Sequence, residues 1–192
     1  MLLNISKYLT NYFVKKHIIE FDKTDIFIYG FQLTLSTFAS IISILALSWF
    51  TDIIYGIIFL LFFMPIRFCA GGYHANTYHK CYIYTNLCFI ITMLFSKLAL
   101  QYHLLHIYLP SALLGILYLW WKAPCRNTNN PLSEISLYKN KIHAHTVLII
   151  YCLISIITYF LNVFIFLLEF DTVFLVSVFF IIGNLENRHE TS

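Results

Sequence analysis

The sequence predicts an all-α fold, a polytopic membrane bundle of about six transmembrane helices with an amphipathic N-terminal helix. Three observations carry that prediction. Apolar residues make up 60% of the 192 positions and charged residues 11%, and the mean hydropathy of +0.77 lies above the range of soluble domains. Apolar runs recur that can cross a hydrocarbon core about 30 Å thick, a distance needing roughly 20 helical residues. Lysines and arginines gather on alternate connections, as the bias of membrane insertion requires.

Ahead of the first span, Leu2, Ile5, Leu9, Tyr12 and Phe13 fall on one helical stripe opposite Asn4, Lys7 and Asn11, the pattern of a helix lying on a membrane surface. Lys16 would break the stripe. No apolar h-region with a small-residue cleavage site precedes Asp25, so residues 1–25 are expected to remain as an amphipathic segment.

Spans are expected over residues 26–50, 53–68, 82–100, 104–121, 147–168 and 172–185. Thr51 and Asp52 leave room only for a tight turn, so the first two spans form a helical hairpin. Trp120, Trp121 and Lys122 give the fourth the aromatic and basic end of a membrane interface. The last run, ending before Glu186, rises only about 21 Å as a helix and relies on thinned lipid or snorkelling flanks.

With an inside N-terminus, Lys7, Lys15, Lys16, Lys23, Arg67, Lys80, Lys122, Arg126, Lys139, Lys141 and Arg188 are all cytoplasmic, and only Lys97 is outside. Both termini are then cytoplasmic, and Asp52, Glu169 and Asp171 fall in outer turns. Residues 1–192 read as a single membrane domain, with polar cytosolic loops over 67–81 and 122–145. No internal repeat, Pro-rich linker or G-x-x-x-G seam stands out. Cys69, Cys81, Cys88, Cys125 and Cys152 lack C-x-x-C spacing, lie mostly in lipid or on the cytosolic side, and are expected as free thiols.

The first loop, RFCAGGYHANTYHKC, concentrates ionisable residues beside the bilayer, where they are costly to desolvate. Three readings compete. As a thiol peptidase, Cys81 is the nucleophile and His74 or His79 draws off its proton. Seven residues of regular helix separate alpha carbons by about 10.5 Å, so His74 reaches Cys81 only if the chain bends. Gly71 and Gly72 permit such a bend, and Asn76 or Thr77 can cap the helix that follows. Cys81 then lies in the first turn or two of that helix, where free amides and the helix dipole favour a thiolate, while His79 points elsewhere.

As a metal site, His74, His79 and Cys81 would take a fourth ligand from His143 or His145, in a spacing that matches no familiar zinc or copper centre. As plain structure, the glycines make a turn and Arg67 and Lys80 anchor the interface, and composition alone favours this reading. The second loop, Lys122 to His145, is either a basic connector or a docking surface for an acidic partner.

Arg67, then Ala70-Gly71-Gly72, then His74-Ala75 and a cysteine seven residues after the histidine resemble the signature of the accessory gene regulator B family, membrane-embedded cysteine endopeptidases of bacterial quorum sensing. Length, the number of spans, the motif's place between spans two and three, and Ala123-Pro124 opening a basic second loop extend the resemblance over nearly the whole chain. The resemblance implies cleavage of a short precursor peptide toward its C-terminus, with the peptide held as a thioester on Cys81. A Cys or Ser of the peptide then closes a thiolactone or lactone ring. It carries His74 over as general base, with Arg67, Gly71 and Gly72 in support, the glycines for the bend and Arg67 for a lipid phosphate or precursor carboxylate.

Lys122, Arg126, Lys139 and Lys141 are the candidate precursor-binding residues, a basic set diluted by the intervening Asn-Thr-Asn-Asn-Pro. No third triad member is evident, although Asn76 and Asn86 are candidates to orient the imidazole. The expected partners are the precursor and membrane lipids rather than nucleic acid, no cofactor or metal is implied, and the resemblance admits a homodimer in the bacterial cell membrane. A rival reading is a small metal or solute transporter using the His/Cys set with Asn162, Glu169 and Asp171 as pathway groups within the membrane. A non-catalytic membrane scaffold is the third.

Overall fold

The structure, a computed structural model, describes residues 2–70, 78–124 and 134–190. These form α1 (Leu2–Lys15), α2 (Thr24–Ser48), α3 (Ile53–Ala70), α4 (Tyr78–Gln101), α5 (Leu105–Lys122), α6 (Glu134–Leu161) and α7 (Val163–Glu190), with a single 3₁₀ turn at Phe21–Lys23. Among the described residues there is no strand, and α2, α3, α4, α6 and α7 are each long and apolar enough to cross a membrane. The predicted all-α membrane bundle is what the chain forms, with five such helices among the described residues where about six spans were expected, α5 not being one of the five.

α7 is its axis, packing against α3, α4, α5 and α6. Its Leu168, Val176 and Phe180 are buried in a core shared with Phe59, Phe63 and Ile66 of α3, Phe89 of α4, Leu119 of α5 and Leu148 of α6. The expected hairpin joins α2 to α3, where Asp52 Oδ1 accepts the Ile54 N–H at 3.0 Å and so caps α3. Apolar helices tolerate their hydroxyls because these return to backbone one turn earlier, as Thr37 does to Leu33, Ser40 to Ser36 and Thr172 to Leu168.

Proline inside α3 removes a donor in a place where water cannot substitute. Pro65 leaves the Leu61 carbonyl without its helical N–H, and the Tyr151 hydroxyl of α6 donates to that carbonyl. Stacking of Tyr151 on Phe62 at 4.1 Å between centroids holds the phenol there. Tyr151→Phe is therefore expected to cost about 1–2 kcal/mol, and Pro65→Ala, which restores the N–H, is expected to make the same substitution nearly neutral. Thermal midpoints of the two single variants and the double variant measure the coupling.

Two expectations are corrected. The last two spans meet at Asn162, not at Glu169 to Asp171, because Asn162 Oδ1 accepts the N–H groups of Phe164 and Ile165 at 3.0 and 3.3 Å and starts α7. The final span is therefore Val163–Leu185, a full-length crossing, and Glu169 and Asp171 are buried within it rather than in an outer turn. The first polar loop shrinks as well. α3 runs on to Ala70 and α4 begins at Tyr78, so Arg67 and Cys81 stand on helices, and likewise Lys139, Lys141, His143 and His145 stand on α6. α1 buries Ser6 and Thr10 and packs on α2, with Phe13 of the apolar stripe stacked on Phe31 at 5.8 Å. Ile5 and Tyr12 of that stripe face outward.

Candidate functional site

Short links make neighbouring helices antiparallel, so the end of α3, the start of α4, the end of α5 and the start of α6 lie at one end of the bundle. That end carries Arg67, Cys81, Lys122, Lys139 and Lys141. Cys81 is half-buried in the first turn of α4, where backbone amides have no helical acceptor, and its own carbonyl accepts the Thr85 hydroxyl at 2.9 Å. It is a free thiol, as are Cys69, Cys88 and Cys152. Arg67, in the last turn of α3, lays its guanidinium over the rings of Phe63 and Phe179, 5.7 and 5.8 Å from their centroids.

The structure brings Arg67 and Cys81 together as walls of one recess between α2, α3 and α4. Its cavity volume is about 70 Å³. A larger cavity of about 170 Å³ lies between α5, α6 and α7, but its walls are almost wholly apolar and it contains neither the guanidinium nor Cys81. The smaller recess is the one with chemistry in it.

His74, Gly71, Gly72, Asn76 and Arg126 lie outside the described residues. Lys122, Lys139 and Lys141 are exposed at the same end as Cys81, on α5 and α6. His145 is engaged, with its ring stacked on Trp120 at 4.0 Å and its Nε2 2.9 Å from the Trp120 carbonyl oxygen. Among the described residues no three His, Cys, Asp or Glu converge as metal ligands do. Asn86 is also committed, since its Nδ2 donates to the Tyr82 carbonyl at 2.8 Å and its Oδ1 accepts the Ser43 hydroxyl at 2.7 Å, joining α4 to α2.

Sequence reasoning missed one group. Ser36, Thr37 and Ser40 of α2 line the recess beside Cys81, and the only sequence signal is small polar residues at helical spacing inside an apolar run. Glu169 and Asp171, the pathway groups of the rival reading, are buried on hydroxyl partners. Glu169 accepts hydroxyl hydrogen bonds from Ser155 and Thr158 of α6, both at 2.8 Å, and Asp171 accepts one from Ser96 of α4 at 2.6 Å. Ser96 lies fifteen residues beyond Cys81, about 22 Å along α4, so these carboxyls belong to the far half of the bundle.

Fold and site together define a polytopic helical membrane protein with a helix-borne thiol and a guanidinium sharing one recess near an end of the bundle. The sequence model of the accessory gene regulator B family matches residues 6–184, and the chain belongs to that family. Membership supports a part in the processing of an autoinducing-peptide precursor, which makes such a peptide its partner in general terms. No curated protein and no solved structure matches the chain.

Proposed function

We propose that the protein is a cysteine endopeptidase that cuts a short precursor peptide and promotes its cyclisation, with Cys81 as nucleophile and His74 as base. The observation that carries the reading is Cys81 in the first turn of α4, lining a recess it shares with Arg67. Free amides and the positive end of the helix dipole favour its thiolate. In the reaction, His74 takes the thiol proton and Sγ adds to the scissile carbonyl. The C–N bond then breaks as the imidazolium returns the proton to the leaving amine. A thiol or hydroxyl of the same peptide attacks the thioester carbonyl, Sγ departs, and a thiolactone or lactone ring closes.

Keeping the thioester in a poorly hydrated recess lets the peptide's own nucleophile compete with water. Exposed Lys122, Lys139 and Lys141, with Arg126, are assigned to the precursor's acidic groups, and the basic end is assigned to the cytoplasm by the positive-inside rule. A second reading, solute or cation passage, takes support from the burial of Glu169 and Asp171. Their hydroxyl partners on α4 and α6 instead suit helix ties. Cysteines substituted at 169 and 171 should resist labelling by a membrane-impermeant maleimide in either case, so labelling cannot separate the two readings. Processing does.

The test is mass spectrometry of cells co-expressing the protein with a short open reading frame encoded beside its gene. A shortened peptide lighter by one water than its linear form, absent with Cys81→Ala and with His74→Ala, supports the reading; the same peptides in all three overturn it.

A further inference from the structure

The recess beside Cys81 has walls of a distinct kind. Leu33 of α2 and Phe63, Met64 and Phe68 of α3 supply the apolar surface. Three of the hydroxyls between them are engaged as donors, since Thr37 donates to the Leu33 carbonyl at 2.9 Å, Ser40 to that of Ser36 at 3.0 Å, and Thr85 to that of Cys81 at 2.9 Å. Thr37, Ser40 and Thr85 have no donor left for a polar side chain, and Arg67, the charged member of the lining, lies over the rings of Phe63 and Phe179, so an apolar side chain loses little by entering. A cavity of about 70 Å³ suits a single aliphatic side chain rather than a stretch of peptide.

The nucleophile forms part of the wall, which limits the occupant to a group only a few bonds from the reacting carbon. We propose that the recess is the acyl-side subsite, holding the apolar side chain of the precursor residue whose carbonyl Cys81 attacks. This inference rests on the peptidase reading above. The side chain next to the carbonyl stays attached to Sγ through the thioester stage, while the amine side leaves, so only an acyl-side pocket keeps hold of the peptide until the ring closes. α2 thereby sets specificity, through Leu33, Thr37 and Ser40, although it carries none of the sequence motif.

The full chain in lipid nanodiscs is treated with the chloromethyl ketones of N-acetylglycine and N-acetylleucine, which alkylate Sγ with the side chain set near its acyl-side position. Adducts at Cys81 are followed by peptide mass spectrometry. The leucine reagent should label Cys81 at least about 10-fold faster than the glycine reagent, the discrimination expected of a small apolar pocket. Ser40→Leu, which fills the recess, should bring the ratio to within about 2-fold of unity, and Met64→Ala, which widens it, should shift preference to the phenylalanine reagent. A wild-type ratio within about 2-fold of unity, or a ratio that neither variant changes, overturns the proposal. If the co-expressed precursor is cut in a Cys81-dependent way and the ratio is flat, the subsite fails alone. If the ratio follows the recess and no precursor is cut, the peptidase reading fails while the recess stands.

Discussion

Cys81→Ala is expected to lower precursor cleavage by on the order of 10⁴-fold or more, because losing the nucleophile removes the covalent route altogether. Cys69→Ser and Cys152→Ser should stay within about 2-fold of wild type, since neither thiol lines the recess with Arg67. Cys81 is half-buried, so its loss leaves no large cavity and the thermal midpoint should hardly move. Quantifying cleaved peptide against intact precursor for each variant, with the midpoint as a check on folding, separates chemistry from stability. A Cys81→Ala protein that keeps more than about a tenth of the activity contradicts the assignment.

Gly56→Ala is expected to destabilise the protein by about 1–3 kcal/mol, although alanine ordinarily strengthens a helix. α3 crosses α2 so closely here that a Cβ on Gly56 would lie 2.5 Å from Ser48 Oγ and 2.8 Å from Ser48 Cβ. Ser48 is fully buried, with its hydroxyl on the Leu45 carbonyl, so it has little freedom to withdraw. Ser48→Gly should rescue the variant, because it deletes both clashing atoms and makes the Ile44 carbonyl, at 3.4 Å, the nearest remaining neighbour. A Cβ on Gly30 of α2 would meet nothing within 4 Å, and Gly30→Ala should be neutral or stabilising by about 0.5–1 kcal/mol. Denaturation midpoints of wild type, the two alanine variants and the rescued double variant test the contact. A Gly56→Ala protein as stable as wild type means the two helices sit farther apart than this. The contact also matters to the site, since this hairpin sets Ser40 of α2 against Phe63 and Arg67 of α3.

The spans were legible because apolar runs of helical length have few alternatives, and the α2–α3 turn because only Thr51 and Asp52 interrupt them. The break at Asn162 was not. Residues 163–168 are as apolar as those before, so hydropathy carried the fifth span through them and set the turn at the next charges. A helix cap outweighs hydropathy there, and hydroxyls on α4 and α6 make Glu169 and Asp171 tolerable inside.

At the site, sequence spacing singled out Arg67 and Cys81 and placed Cys81 near a helix start, as the structure has it. The α2 wall was invisible because contact between α2 and α4 is long-range, and nothing within α2 marks Ser36, Thr37 or Ser40 as facing a thiol. Asn86 shows the converse. It lies near Cys81 in sequence, yet Ser43 and the Tyr82 carbonyl occupy both ends of its amide.

The central claim is that a peptide carbonyl becomes bonded to Cys81 Sγ. Its most direct test is the intact mass of the protein isolated under acid quench from cells co-expressing the short neighbouring open reading frame. The account predicts an added mass equal to an acyl segment of that peptide, located on Cys81, released by neutral hydroxylamine and increased when the peptide's ring-closing Cys or Ser is replaced by Ala. Cleaved peptide accumulating with no such adduct, or an adduct unchanged in Cys81→Ala, would contradict it.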